Sequence, residues 1–165
     1  MMGMSSVPFR TGLGFDSHEF EEGKPLYIGG VRIDFPLGLR GHSDGDVLLH
    51  AVTDAILGAL GEPDIGELFS DRDERWKGAP SELFLREALE RMREKGYELI
   101  NLDCVLIADK PKIAPYKGKI KGKLSELTGL PLERISIKGK RREGFCEVEG
   151  IACMCTVLLG KSDEG

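Results

Sequence analysis

The sequence predicts an α+β fold, a single domain in which a mixed β-sheet carries its helices packed on one face. Two observations lead there. A chain of 165 residues, 41% of them hydrophobic, is long enough for one compact core and short for two. Strand-like and helix-like stretches also alternate irregularly, with a hairpin early and two strands late, which suits a mixed sheet with one helical layer.

Phe9 to Phe20 reads as the first strand, with Gly12 and Gly14 at points where another backbone approaches closely. Pro25 to Ile28 and Val31 to Phe35 flank Gly29-Gly30, a hairpin signal. Ser43 to Leu60 reads as a helix, opened by Ser43 with Asp46 three residues on in the manner of a capping box, and closed by Gly61 and Pro63. The segment from Glu62 to Pro80 mixes Gly, Pro, Asp and Arg and is expected as an ordered but mobile loop. Pro80 to Lys95 is a second amphipathic helix stopped by Gly96, and Leu99 to Ala108 is a strand running into Pro111 and Pro115. Tyr116 to Thr128 gives a third helix, and Arg134 to Lys138 and Gly150 to Leu159 the last strands. Disordered tails are expected at 1–6 and 161–165. The domain therefore runs over 1–165, without internal repeats or low-complexity segments.

A net charge of -5 and a pI near 5.3 argue against a nucleic-acid or acidic-membrane partner, which needs a basic field. An anionic ligand must then be met by local devices such as a metal, a helix N-terminus or a few placed cations. The four cysteines, Cys104, Cys146, Cys153 and Cys155, lack CxxC spacing, which points to a reduced, cytoplasmic setting. Cys153 and Cys155 face one side of a strand and read as small core residues. No apolar stretch approaches the roughly 20 residues that span a bilayer.

Asp16 and His18 lie two apart on the first strand, so both project from one face near its end. On the first helix Asp46, His50, Thr53 and Asp54 fall at spacings of four, seven and eight, a polar stripe on an otherwise apolar surface. Such groups are costly to bury unless paired or metal-bound, so the stripe faces either a polar site or a satisfied internal network. Two histidines and a carboxylate around an open position match catalytic zinc rather than a closed, Cys-rich structural site. That assigns Asp16, His18 and His50 as the metal ligands. His42 precedes the capping serine, where outward N–H groups favour anions, and is either a phosphate contact or an exposed loop residue. Lys138 to Glu143 reads KGKRRE, either a solvated turn or a diphosphate clamp in which Glu143 holds Mg²⁺. Lys110 and Lys112 around Pro111 are either surface or nucleotide-adjacent.

The words GLGFDSHEF, IGGVRI, GHSDGDVLLHAVTDAILGALGEPDIGELF, SELFLREALERMREKGYEL and EGIAC occur in order over most of the chain. They resemble the 2-C-methyl-D-erythritol 2,4-cyclodiphosphate synthases of the non-mevalonate isoprenoid pathway. The resemblance implies a metal on Asp16, His18 and His50, as the spacing does. It further implies that His42 and Ser43 contact substrate, that Asp64, Ile65 and Gly66 bind the methylerythritol part, and that Phe69 to Asp73, including Asp71, helps cover it. Ala108 to Ala114, with Pro111 and Lys112, resembles the segment whose backbone wraps the cytosine base. The implied reaction is attack of the substrate's 2-phosphate on the β-phosphorus of its cytidine diphosphate moiety, expelling CMP. No enzyme nucleophile is needed; Zn²⁺ or a similar divalent transition metal acts with Mg²⁺ or Mn²⁺ on the diphosphate. Homotrimers with shared sites are also implied.

The chain departs from the family's pattern at one place, where Lys140-Arg141-Arg142-Glu143 replaces a run of threonines followed by Glu and the connection from Phe145 to EGIAC is short. Arg141 falls near the catalytic threonine, and either supplies a forked donor in its place or points to solvent. Arg142, Glu143 and Phe145 complete the expected substrate contacts. Two rival functions remain: a binding module that kept the metal site as a sensor, and a zinc phosphohydrolase that places water at the attacking position.

Overall fold

The structure, a computed structural model, describes residues 7–41, 43–70 and 72–163. The expected tails at 1–6 and 164–165, and the candidates His42 and Asp71, lie outside the described residues. The chain runs β1 (Phe9–Glu21), β2 (Leu26–Ile28), β3 (Val31–Ile33), β4 (Gly38–Leu39), α1 (Val47–Ala59), α2 (Ile65–Leu68), α3 (Ser81–Glu94), β5 (Tyr97–Ile107), α4 (Lys117–Thr128), β6 (Ile135–Lys140) and β7 (Gly150–Lys161). Five strands form one sheet in the order β4-β1-β7-β5-β6, while β2 and β3 pair as a separate hairpin. The β1, β7 and β5 ladders are antiparallel and β5–β6 is parallel, so the sheet is mixed as expected.

Alternation sets the two faces of the sheet. On β7, Ile151, Cys153, Cys155, Val157 and Leu159 are buried, and Leu102, Cys104, Leu106, Ile135 and Ile137 continue that face across β5 and β6. Helices α1, α3 and α4 cover it, and the paired cysteines are core residues as their spacing predicts. The opposite face stays open, with Leu13 63% and Phe15 54% exposed.

The glycines of β1 let α1 lie directly on it. A Cβ on Gly12 would stand 1.8 Å from the Ala55 carbonyl oxygen, and one on Gly14 1.8 Å from that of Ala51. Ala51 and Ala55 supply the matching small surface one helical turn apart. This contact brings His50, one residue before Ala51, beside Asp16, two residues after Gly14.

The structure corrects four expectations. The first helix begins at Val47 with Asp46 as its N-cap, because Gly45 at φ +72° turns the chain between Ser43 and Asp46. The expected loop at 62–80 contains α2, capped by Asp64 through a 3.0 Å bond from the Glu67 N–H; four residues are too few to show a helical period. The two-residue strand β4 went unseen for the same reason. Lys161 and Ser162 are not part of a disordered tail, since the Lys161 N–H donates to Pro8 and the Ser162 N–H to Gly96. Among the described residues no helix is long and apolar enough to cross a membrane.

Candidate functional site

Asp16, His18 and His50 converge as predicted, each offering one ligand atom within 4.8 Å of the others. Asp16 Oδ2 lies 2.9 Å from His18 Nε2 and 3.0 Å from His50 Nδ1. Ligand bonds of about 2.0–2.1 Å at tetrahedral angles separate donor atoms by ~3.3 Å, so the cluster needs only slight opening to hold an ion. His18 Nε2 is buried and lacks a hydrogen-bond partner, its approach to Asp16 having the wrong geometry. A buried imidazole nitrogen left unsatisfied beside a carboxylate is one that a bound cation would satisfy, and the donor set of one oxygen and two nitrogens fits zinc.

Electrostatics agree with that reading. Burial pushes the Asp16 carboxyl up, but the adjoining imidazoles of His18 and His50 outweigh it and hold the group below its ordinary range. Burial likewise favours neutral His50, yet Asp16, helped by the fields of Asp46 and Asp44, raises its pKa above the usual value. The adjoining cavity, about 300 Å³, is lined by Ser43, Ile65, Gly66, Phe69, Trp76 and Phe84 besides the triad. Its size sits at the lower end of ligand pockets, ~300–1,000 Å³, so it holds one end of a nucleotide-sized ligand rather than all of it.

The polar stripe of α1 divides into four tasks. Asp46, fully buried, accepts from the N–H groups of Gly29, Gly30 and Leu49 and so joins the β2–β3 hairpin to the helix start; burial, outweighing those bonds, pushes its pKa up to about 6. His50 faces the cluster. Thr53 donates back to the Leu49 carbonyl at 2.7 Å. Asp54 accepts the Ile65 N–H at 2.8 Å and thereby fixes α2 against the pocket.

The remaining predicted residues gather elsewhere. Ala108, Pro111, Lys112, Ala114 and Arg141 line a second cleft at the ends of β5 and β6, and Glu143 joins Lys112 and Arg141 in an adjoining one. Phe145 is 95% exposed and borders an apolar hollow on the open sheet face, and Asp73 is tied to Arg75 at the outer loop. Neither cleft shares a residue with the triad's pocket. Arg142 does not fit its expected role. Its five N–H groups are spent on Asp109, Glu149 and the carbonyls of Cys146 and Val148, leaving no donor for a phosphate. Arg141 is exposed and lines the cleft beside Asp109.

Glu143 and Gly144, at φ 53° and 76°, form the centre of a turn closed by the Phe145 N–H on the Arg142 carbonyl. A left-handed Glu is uncommon where Asn or Gly is easier, so this side chain is displayed at a conformational cost.

Sequence reasoning missed Asp44 and Ser81. His50 Nε2, the nitrogen turned away from Asp16, lies 2.7 Å from Ser81 Oγ and 3.1 Å from Ser43 Oγ. Ser81 Oγ and N–H both donate to Asp44. Ser81 opens α3 behind Pro80, where a serine reads as ordinary helix-start chemistry. Phe84 and Trp76 were missed too; with Phe69 they form an aromatic cluster beside His50, the Phe84 ring centroid 6.0 Å from the imidazole's.

The profile of the YgbB family matches residues 9–160. This chain belongs to the YgbB family. It is 68% identical over 155 residues to the 2-C-methyl-D-erythritol 2,4-cyclodiphosphate synthase of Aquifex aeolicus strain VF5, covering 94% of this chain and 99% of that protein. It is 50% identical to the synthase of the same name from Hydrogenobaculum sp. strain Y04AAS1, covering 93% and 98%. A solved synthase structure bound to CDP superposes with a TM-score of 0.86 at 45% identity, covering 91% of this chain and 99% of that one. The bifunctional IspDF of Campylobacter jejuni superposes with a TM-score of 0.88 at 44% identity over 94% of this chain and 43% of its own.

Proposed function

We propose that this chain converts 4-diphosphocytidyl-2-C-methyl-D-erythritol 2-phosphate to 2-C-methyl-D-erythritol 2,4-cyclodiphosphate and CMP, a phosphorus–oxygen lyase step of isoprenoid precursor synthesis. The observation that carries it is the convergence of Asp16, His18 and His50, with an orphaned imidazole nitrogen, at the mouth of a small pocket. The relatives at 68% and 50% identity carry that activity in their names.

Asp16, His18 and His50 would hold Zn²⁺ or a similar divalent metal, which when bound supplies Lewis acidity and a template at the phosphate. Ser43, Ile65 and Gly66 line the space beside it, where the phosphorylated methylerythritol end would sit under Phe69. Asp64 shapes this wall by capping α2. His42, next to Ser43, would contact the phosphate. The cytidine end belongs in the cleft of Ala108 to Ala114, where Arg141 places forked donors against the phosphates and Glu143 would hold Mg²⁺ or Mn²⁺. Holding both ends makes the attack intramolecular, and no described Ser-His or Cys-His pair is needed as a nucleophile.

Because the two clefts share no residue within one chain, we assign the working site to neighbouring subunits of a homotrimer, each contributing one half. The uncovered face of the sheet supports such assembly. Free cysteines fit a cytoplasmic location.

Phosphorus NMR of a reaction with Zn²⁺ and Mg²⁺ tests the assignment. Appearance of CMP with a cyclic diphosphate is expected. Linear products would instead identify a hydrolase, and unchanged substrate a binding module. His50→Ala is expected to lose zinc and turnover while keeping the fold; full activity in a metal-free His50→Ala protein would overturn the metal assignment.

A further inference from the structure

We infer that Asp44 and Ser81 form a positioning relay that fixes the ring of His50 so that Nδ1, and not Nε2, is presented to the metal. This rests on the metal-centre reading above.

Counting donors gives the direction of the relay. The Asp44 carboxylate can only accept, so the Ser81 hydroxyl, bonded to Asp44 Oδ1, spends its single hydrogen there. The same Oγ lies 2.7 Å from His50 Nε2. With its hydrogen already used, Oγ must accept from Nε2–H. Nε2 therefore carries a proton, and the nitrogen left to bind a cation is Nδ1, the one 3.0 Å from Asp16 Oδ2. Ser43 Oγ, 3.1 Å from Nε2, provides a second oxygen on that side.

The relay is held from both ends. Asp44 Oδ2 accepts the Ser81 backbone N–H at 3.0 Å, so the carboxylate grips one residue through two bonds. That residue begins α3, whose preceding Pro80 provides no side-chain cap; Asp44 takes over this capping from a distant loop. Ser81 is fully buried, and Phe84, one turn further along α3, packs at a tilt beside the imidazole. The His50 ring is thus clamped between α3 and β1. A carboxylate acting through a hydroxyl on a metal-bound histidine raises the ligand's basicity and fixes its orientation, and loss of such a partner typically costs 10–100-fold in metal affinity.

The test measures the zinc affinity of the full-length protein by competition with a chromophoric chelator, and the solvent exchange of the His50 Nε2–H by NMR in the zinc-loaded form. Ser81→Ala and Asp44→Ala are each expected to weaken zinc binding about 10–100-fold and to speed Nε2–H exchange. Asp44→Asn, whose side-chain oxygen can still accept from the Ser81 hydroxyl but whose amide nitrogen cannot accept the Ser81 N–H, is expected to lose the α3 cap yet restore slow exchange and part of the affinity; a purely structural cap would not separate these readouts. Wild-type zinc affinity in both alanine variants overturns the relay, as does coordination of zinc through Nε2. Failure of the unmodified protein to bind zinc overturns the metal centre itself, and the relay with it.

Discussion

His50 stands between two acids with opposite demands. Asp16 and the Ser81–Asp44 pair each call for a proton on the ring nitrogen facing them, and without a metal both are satisfied only by the imidazolium. That is why its pKa rises despite burial. The sign of the pH dependence follows. A raised His50 pKa stabilises the metal-free fold below the unfolded value of 6.5, and this is lost as pH climbs through the folded pKa. The lowered Asp16 pKa stabilises it above 3.8, and this is lost as pH falls through the folded value. The advantage in Tm of the metal-free wild type over metal-free His50→Ala is therefore expected to peak between pH 3.8 and 6.5 and to shrink on both sides. Asp46, with a pKa of about 6, acts in both proteins and adds to the difference through its field on His50. Zinc inverts the upper limb, since it binds the deprotonated ring. A difference that is flat with pH in thermal melts would contradict the ion-pair account.

At the scale of elements, the contact of α1 with β1 sets the proposed metal site. Gly14→Ala would place a methyl 1.8 Å from the Ala51 carbonyl oxygen, so helix and strand must part. The expected cost is about 1–3 kcal/mol of stability, read as a fall in urea midpoint, together with weaker zinc binding because His50 moves with Ala51. An unchanged zinc affinity in a destabilised protein would show that the site is set by other contacts. This element pair was legible in the sequence, since Gly12 and Gly14 alternate with Leu13 and Phe15 and a polar stripe marks α1. So was the triad, whose residues are one strand pair and one helix position. Asp44 and Ser81 were not, because 37 positions separate them and each resembles a local cap. Arg142 misled for a related reason. Its charge was visible, but the loop carbonyls and acids that consume its donors become neighbours only when the 141–149 connection folds back on Asp109.

Taken as a whole, the molecule has a finished face and an unfinished one. The helical side buries its strands, while on the other side Phe15 pairs across β1–β7 with Met154, and Met154 across β7–β5 with Val105. That is an apolar row on a surface where an isolated antiparallel sheet would alternate to polar. Exposures of 54% for Phe15 and 42% for Met154 are what a face covered by other copies of the chain would show. The same end of the sheet holds the two clefts, the pocket of Asp16, His18 and His50 beyond β1 and the cation-lined cleft beyond β5 and β6. A closed ring would set one subunit's metal half beside the next subunit's nucleotide half, and mixing of disabled halves then becomes decisive. His50→Ala removes the metal half and Glu143→Ala the magnesium ligand proposed for the other, so each variant alone is expected to be inactive. In trimers formed at random from equal amounts of both, a site is intact when its metal half comes from the Glu143→Ala chain and its nucleotide half from the His50→Ala chain, about one site in four for a head-to-tail ring. Co-expression should therefore recover roughly a quarter of wild-type turnover per site. No recovery in mixed trimers verified by mass spectrometry would place both halves of each site within one chain.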